Sequence, residues 1–147
     1  MALDDDIRLF GTIPIFRLLE PDALRLLAFS AETKLLRAGD VLCAAPSQLE
    51  GGYLVVKGSL AVFESREALG EPSKIVQSPG LVGELAMIAS TEAAGSIIAR
   101  EPTTLLRVSR AVFHRVLGEY PRSAAAVRNM IHQRLSTISG QLAPMGS

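Results

Sequence analysis

The stretch Leu81-Val-Gly-Glu-Leu-Ala-Met-Ile-Ala-Ser-Thr-Glu-Ala-Ala-Gly-Ser-Ile-Ile-Ala99 decides how the rest of the chain is read. Two apolar runs, Gly80–Ile88 and Ile97–Ile98, flank a small, polar segment, Ala89–Ser96. Inside the first run sits Gly83-Glu84-Leu85-Ala86. An acid among apolar neighbours is hard to explain as packing, because Glu is almost never fully buried unless it is paired or hydrogen-bonded. The glycine before it permits positive φ or close backbone approach. If a short helical turn starts here, its free N–H groups face an anion and the carboxylate suits a hydroxyl donor, a combination that fits a sugar phosphate. The same four residues also suit a glycine bulge with a solvated Glu at a strand end.

Outward from this stretch the texture is of short strands. Thr33–Arg37 precedes an Ala-Gly-Asp turn, and Val41-Leu42-Cys43 follows it. Gly51-Gly52 leads into Tyr53–Val56, and Lys57-Gly58 marks a tight turn before Ser59–Phe63. Glu64–Ser73, charged and holding Gly70 and Pro72, reads as a hairpin loop before Lys74-Ile75-Val76. Ser78-Pro79-Gly80 is a turn, and Ile97–Ala99 and Thr103–Val108 complete the set. Many short strands at roughly even spacing argue for a sandwich or jelly roll.

Helices flank the strands. Ile7–Leu19 reads as short helical pieces capped by Asp4, Asp5 or Asp6 and broken at Pro14. Pro21-Asp22 opens another helix, with Leu24, Leu27 and Ala28 as its apolar stripe. Ser109 caps a helix through Leu117 with Gly118 as its stop, and Ser123 caps a longer one. In that last helix Val127, Ile131, Leu135, Ile138 and Leu142 form a narrow stripe, which fits packing on the chain's own strands or against a twin helix in a homodimer. Gly140 and Pro144 predict fraying towards its end. The expected class is therefore mainly β: a jelly roll of about eight short strands, 33–108, with N-terminal helices and C-terminal helices at 109–142, as a single domain over 1–147.

Composition narrows the function. A chain of 147 residues with 48% apolar content can bury a core, roughly 68–70% of its unfolded surface. Fifteen basic and fifteen acidic residues leave no field to steer the chain to nucleic acid or acidic lipid. No apolar run reaches the length of a membrane span, and the acidic Asp4-Asp5-Asp6 start is unlike a signal peptide. The single Cys43 favours a reducing, cytoplasmic compartment and reads as a buried structural thiol. His114 and His132 lie on different predicted helices, without carboxylate or thiol partners at ligand spacing, and read as surface or helix-packing residues. No Walker-type loop is present, so neither an enzyme nor a bound cofactor is expected.

The order of Leu35–Leu42, Gly52–Val62 and Gly83–Ala86 resembles the cyclic nucleotide-binding domain family, with its catabolite-activator-like β-roll. Ile13–Phe16, Ser109–Phe113 and Tyr120-Pro121 extend the resemblance over about residues 10 to 135. The resemblance implies that Gly83, Glu84, Leu85 and Ala86 lead a phosphate-binding cassette, with Gly83 and the next amides at the ligand and Glu84 on the ribose 2′-hydroxyl. The family's phosphate-pairing arginine falls on Ala93 and the next contact on Ala94. A lost charge-assisted bond is worth ~1.5–3 kcal/mol, or on the order of tenfold to a hundredfold in affinity. Arg100 is the nearest cation in sequence, and Ser90, Thr91 and Ser96 offer neutral donors. The expected function is a regulatory module with weak or altered binding of cyclic AMP or cyclic GMP. The alternative is a degenerate member acting through an unidentified protein partner or dimerisation. DNA binding is not expected: relatives that bind DNA carry a helix-turn-helix after the long helix, the chain stops at Ser147, and Arg128 and Arg134 read as a solvated face.

Overall fold

The computed structural model describes residues 2–44, 48–64, 70–92 and 95–146. The chain opens with α1 (Ala2–Phe10), α2 (Pro14–Arg17) and α3 (Pro21–Ser30). Prolines occupy the start of α2 and α3, where a missing N–H costs nothing. The acids of α1 do not cap it: the helix already begins at Ala2, so Asp4 and Asp5 sit in its first turn, where the helix dipole favours negative charge.

The strands follow as β1 (Glu32–Leu36), β2 (Val41–Cys43), β3 (Gln48–Leu49), β4 (Gly51–Lys57) and β5 (Ser59–Val62). After the hairpin loop, of which 65–69 lie outside the described residues, come β6 (Lys74–Gln77) and β7 (Gly80–Val82). A short helix α4 (Glu84–Ile88) precedes β8 (Thr91–Glu92), β9 (Ile97–Ala99) and β10 (Thr103–Ser109). Two antiparallel four-stranded sheets result, ordered β1-β10-β4-β7 and β2-β9-β5-β6, with β3 and β8 as a separate pair. This is the expected β-roll. Gly58, at φ +88°, makes the turn from β4 to β5.

Alternation along β4 and β10 builds two cores. Leu54, Leu106 and Val108 face the helices and pack with Phe10, Phe16, Leu27 and Phe113. Their sequence neighbours Tyr53, Val55 and Leu105 face the second sheet and pack with Cys43, Leu60 and Ile97. The period of two along each strand forces this division.

Ser109 caps α5 (Arg110–Glu119) as its sequence predicts, its hydroxyl accepting the Val112 amide at 3.1 Å. α6 (Pro121–Gly146) departs from expectation at both ends. It begins at Pro121 and not at Ser123, because the Tyr120 carbonyl already accepts the Ala124 N–H at 3.0 Å. Ser123, 1% exposed, instead accepts the Glu20 amide at 2.9 Å and ties α6 to the start of α3. The helix also continues past Gly140 and Pro144. A glycine costs a helix roughly 1 kcal/mol without ending it, and a proline near the terminus removes one bond of the ladder. Of the apolar stripe, Val127 is buried in the helical core and Ile131 packs at its margin, whereas Leu135 is 55% exposed. The side chains of Ile138 and Leu142 lie outside the described ones.

Candidate functional site

Gly83 sits between β7 and α4 in the left-handed region, at φ +79° and ψ 27°. A Cβ there would lie 2.6 Å from the Gly51 carbonyl oxygen. A Cβ on Gly52 would meet the Met87 sulfur at 2.8 Å. The glycine pair of β4 is therefore the seat on which the Gly83 turn and α4 rest. The sequence reading placed that pair ahead of its strand, although a glycine inside a strand signals close backbone approach.

α4 is held from behind by α5. Arg110 Nη1 donates to the Ala86 carbonyl at 3.3 Å, and His114 Nε2 lies 3.0 Å from the Ile88 carbonyl. A carbonyl only accepts, so this nitrogen carries the imidazole proton. Both bonds satisfy carbonyls that a short helix leaves without partners. With Ala86 and Met87 buried beneath it, α4 presents Leu85, 62% exposed, to the outside.

The Gly83–Ala86 turn forms one wall of a cavity of about 340 Å³, within the range typical of small-ligand sites. Leu81 and Val82 of β7, Leu49 of β3, Val62 of β5 and Ile97 of β9 supply its apolar lining. Lys74 of β6 lines it as well, so that Glu84 and Lys74 are the charged groups among its described lining residues. Glu84 is already engaged: Arg134 Nη1 of α6 donates to its Oε1 at 2.6 Å. Arg134, read as part of a solvated face, is indeed 48% exposed, but it finds a partner at the cavity wall. Its guanidinium reaches a carboxylate fifty positions away in sequence.

The structure thus brings Gly83, Glu84, Leu85 and Ala86 to one wall, while Ala93 and Ala94 lie outside the described residues. Arg100 is exposed in the turn after β9 and does not line the cavity. Ser96 is buried, and its carbonyl accepts the Phe63 amide at 2.9 Å. Lys74 and Arg134 are what sequence reasoning missed. Lys74 had one available signal: it shares strand parity with Val76, a partly buried residue of the inter-sheet core. Among the described residues no group of three or more His, Cys, Asp or Glu is placed to hold a metal ion, and no helix is long and apolar enough to cross a membrane.

Comparisons with known proteins agree with the fold. The profile of the cyclic nucleotide-binding domain matches residues 33–120. A cyclic nucleotide-binding-like protein from Brucella abortus is 35% identical, with a TM-score of 0.70 over 78% of this chain and 98% of that one. The N-terminal domain of a transcriptional regulator from Streptomyces coelicolor superposes with a TM-score of 0.81 over 91% of this chain and 94% of its own, at 20% identity, and shares the fold. A lysophospholipase of Chaetomium globosum is 26% identical over 111 residues, which are 75% of this chain but 7% of that protein's length.

Proposed function

The chain belongs to the cyclic nucleotide-binding domain family, and from that premise we propose that it is a regulatory sensing module which takes a cyclic nucleotide, cyclic AMP or cyclic GMP, with altered and weakened affinity. The observation that carries this reading is the cavity walled by Gly83, Glu84, Leu85 and Ala86. It has the size for a nucleotide, an apolar lining for a base, and a carboxylate for sugar hydroxyls. In this reading Ala93 and Ala94 stand in sequence where the family carries its phosphate-pairing arginine and the next contact, and the alanine at 93 is the cause of the weakened affinity. The module is one domain over 1–147 that senses rather than catalyses, and its single, buried Cys43 suits the cytoplasm.

Thermal unfolding with and without cyclic AMP, cyclic GMP and other nucleotides tests the proposal. A ligand present at 100 times its Kd adds about 2.7 kcal/mol to the native state. At roughly 2–4 °C per kcal/mol for a chain of this size, the melting temperature should rise by about 5–10 °C. An unchanged melting temperature at millimolar nucleotide would overturn the reading.

A second reading is favoured by the Arg134–Glu84 bond, which occupies the carboxylate that a ribose would need. The chain then acts without nucleotide, through an unidentified protein partner or by pairing α6 with its twin. In that case Leu135→Glu, on the exposed part of the stripe, should turn a dimer into a folded monomer by light scattering.

A further inference from the structure

We propose that Lys74 is the counter-ion for the ligand's anionic group in the Gly83–Ala86 cavity, taking over the charge that the alanine at position 93 does not supply; this rests on the nucleotide-sensing reading above. The argument begins with strand register. Lys74 stands opposite Val62, and Val62 stands opposite Ile97. Directly opposed residues of antiparallel strands place their side chains on one face of the sheet. At the usual strand spacing the row Ile97–Val62–Lys74 spans about 10 Å. All three line the cavity, so the row points into it.

Parity along β6 says the same. Val76, two residues on, packs against the inter-sheet core, while Ile75 between them is 39% exposed. Lys74 and Ile75 are both exposed, but Lys74 shares its face with Val76 and Val62, which puts its ammonium at the rim of the cavity. A lysine on an edge strand also guards against edge-to-edge pairing, and β6 is an edge. That role needs only a charge on the strand. It does not account for a place on the cavity wall beside the Glu84 turn.

Charge completes the case. Lys74 pairs with no described carboxylate. The other charged lining residue, Glu84, is neutralised by Arg134 at 2.6 Å. Among the described residues the cavity is left with one unmatched positive charge, at its exposed rim. The ligand that matches it carries a negative group. A nucleotide with its phosphate at Lys74 and the rest of the molecule along Val62, Ile97 and Leu49 meets that requirement.

Calorimetry with cyclic AMP and with neutral adenosine, on wild type, Lys74→Gln and Lys74→Arg, tests the assignment. The expected result is a loss of about tenfold or more for cyclic AMP in Lys74→Gln. Adenosine affinity should stay unchanged, and Lys74→Arg should restore cyclic AMP. Rising salt should weaken cyclic AMP binding to wild type more than to Lys74→Gln. Equal losses for both ligands, no loss for either, or aggregation of Lys74→Gln with its affinity intact would overturn Lys74 as counter-ion and leave the sensing reading in place. A wild type that binds neither cyclic AMP nor cyclic GMP overturns the sensing reading, and the assignment with it.

Discussion

On one face of the sheet β1-β10-β4-β7, three phenylalanine rings lock the packing; on the other, mostly branched and small side chains, with Tyr53 among them, border the cavity of the Gly83 turn. Phe10, Phe16 and Phe113 are fully buried in the helical layer, with edge-to-face ring pairs at centroid distances of 5.0 and 6.4 Å. The inter-sheet layer is built on Val55, Leu60 and Leu105, and its margin at Ile97 and Val62 opens into the 340 Å³ cavity. Rings bury large areas and lock by geometry, so the helical layer is where stability concentrates. The cavity of the sheet layer is set apart not by its size, since a groove of about 530 Å³ borders Phe16 and Leu19 of the helical layer, but by the Gly83–Ala86 turn in its wall. The site lies at the margin of the inter-sheet core.

Paired truncations would break this comparison first. Leu27→Ala removes a fully buried side chain from the helical layer and should cost about 3–5 kcal/mol. Ile97→Ala merges its void with an existing cavity that water can enter, and should cost nearer 2 kcal/mol. Urea unfolding of both variants decides. Equal costs, or a larger cost at Ile97, would show that the sheet layer carries as much stability as the helical one.

The second test sits where the two layers meet. Gly83→Ala places a Cβ 2.6 Å from the Gly51 carbonyl oxygen at a positive φ, and should destabilise by about 1–3 kcal/mol. Gly39 has a comparable φ of +88° but nothing within 4 Å of its Cβ position. Gly39→Ala should therefore cost about 1 kcal/mol, the strain without the clash. If both glycines cost the same, the close approach of the Gly83 turn to β4 contributes nothing.

A pH titration sharpens the contrast further, because Cys43 and Tyr53 both belong to the sheet layer. Burial pushes the Cys43 thiol above its ordinary 9.0. Burial likewise pushes the Tyr53 phenol above 10.0, against the opposing effect of the Arg107 guanidinium. Each group keeps its proton in the native chain at a pH where the unfolded chain has lost it. Their contribution is thus fully present below pH 9 and declines as pH rises through the native pKa values. Urea midpoints measured upward from about pH 8 should fall, and should fall less steeply in Cys43→Ala and Tyr53→Phe. A flat profile in the wild type would contradict the burial of both groups.

These contrasts also mark what the sequence made legible. Long elements with a clear period, such as β4, β10 and the Ser109-capped α5, were readable because local pattern and tertiary role agree. β3 and β8 hold two residues each, too few to show any period, and are defined by pairing with each other. Gly83–Ala86 was readable as a turn because an acid after a glycine in apolar sequence has few packing explanations. The partner of Glu84 was not. Helical periodicity places Arg134 on a polar face, and that face stays exposed; only the tertiary placement of α6 brings its guanidinium to a carboxylate fifty positions away. Ser123 misled for a related reason: a local cap and a long-range acceptor look alike in sequence.

The smallest expected effect belongs to that pair, and it separates the two functional readings. The Arg134 and Glu84 side chains are 48% and 30% exposed, so solvent screens their 2.6 Å bond. Such pairs contribute about 0.2–1 kcal/mol, which caps the stability lost in Arg134→Ala. The same energy must be given up by any ligand hydroxyl that takes Glu84 from Arg134. If the module senses a cyclic nucleotide, Arg134→Ala should therefore tighten cyclic AMP by up to about fivefold, the factor equivalent to 1 kcal/mol. Glu84→Gln should remove that gain, because the amide has neither the charge that holds Arg134 nor the full acceptor strength for the sugar; the four proteins form a double-mutant cycle. Tighter binding in Arg134→Ala that disappears in the double mutant identifies the pair as a competitor of the ligand. Weaker binding makes Arg134 a ligand contact. No binding in any of the four, with Arg134→Ala losing stability alone, makes the bond a structural tie between α6 and the Gly83 turn and gives the lead to the nucleotide-free reading.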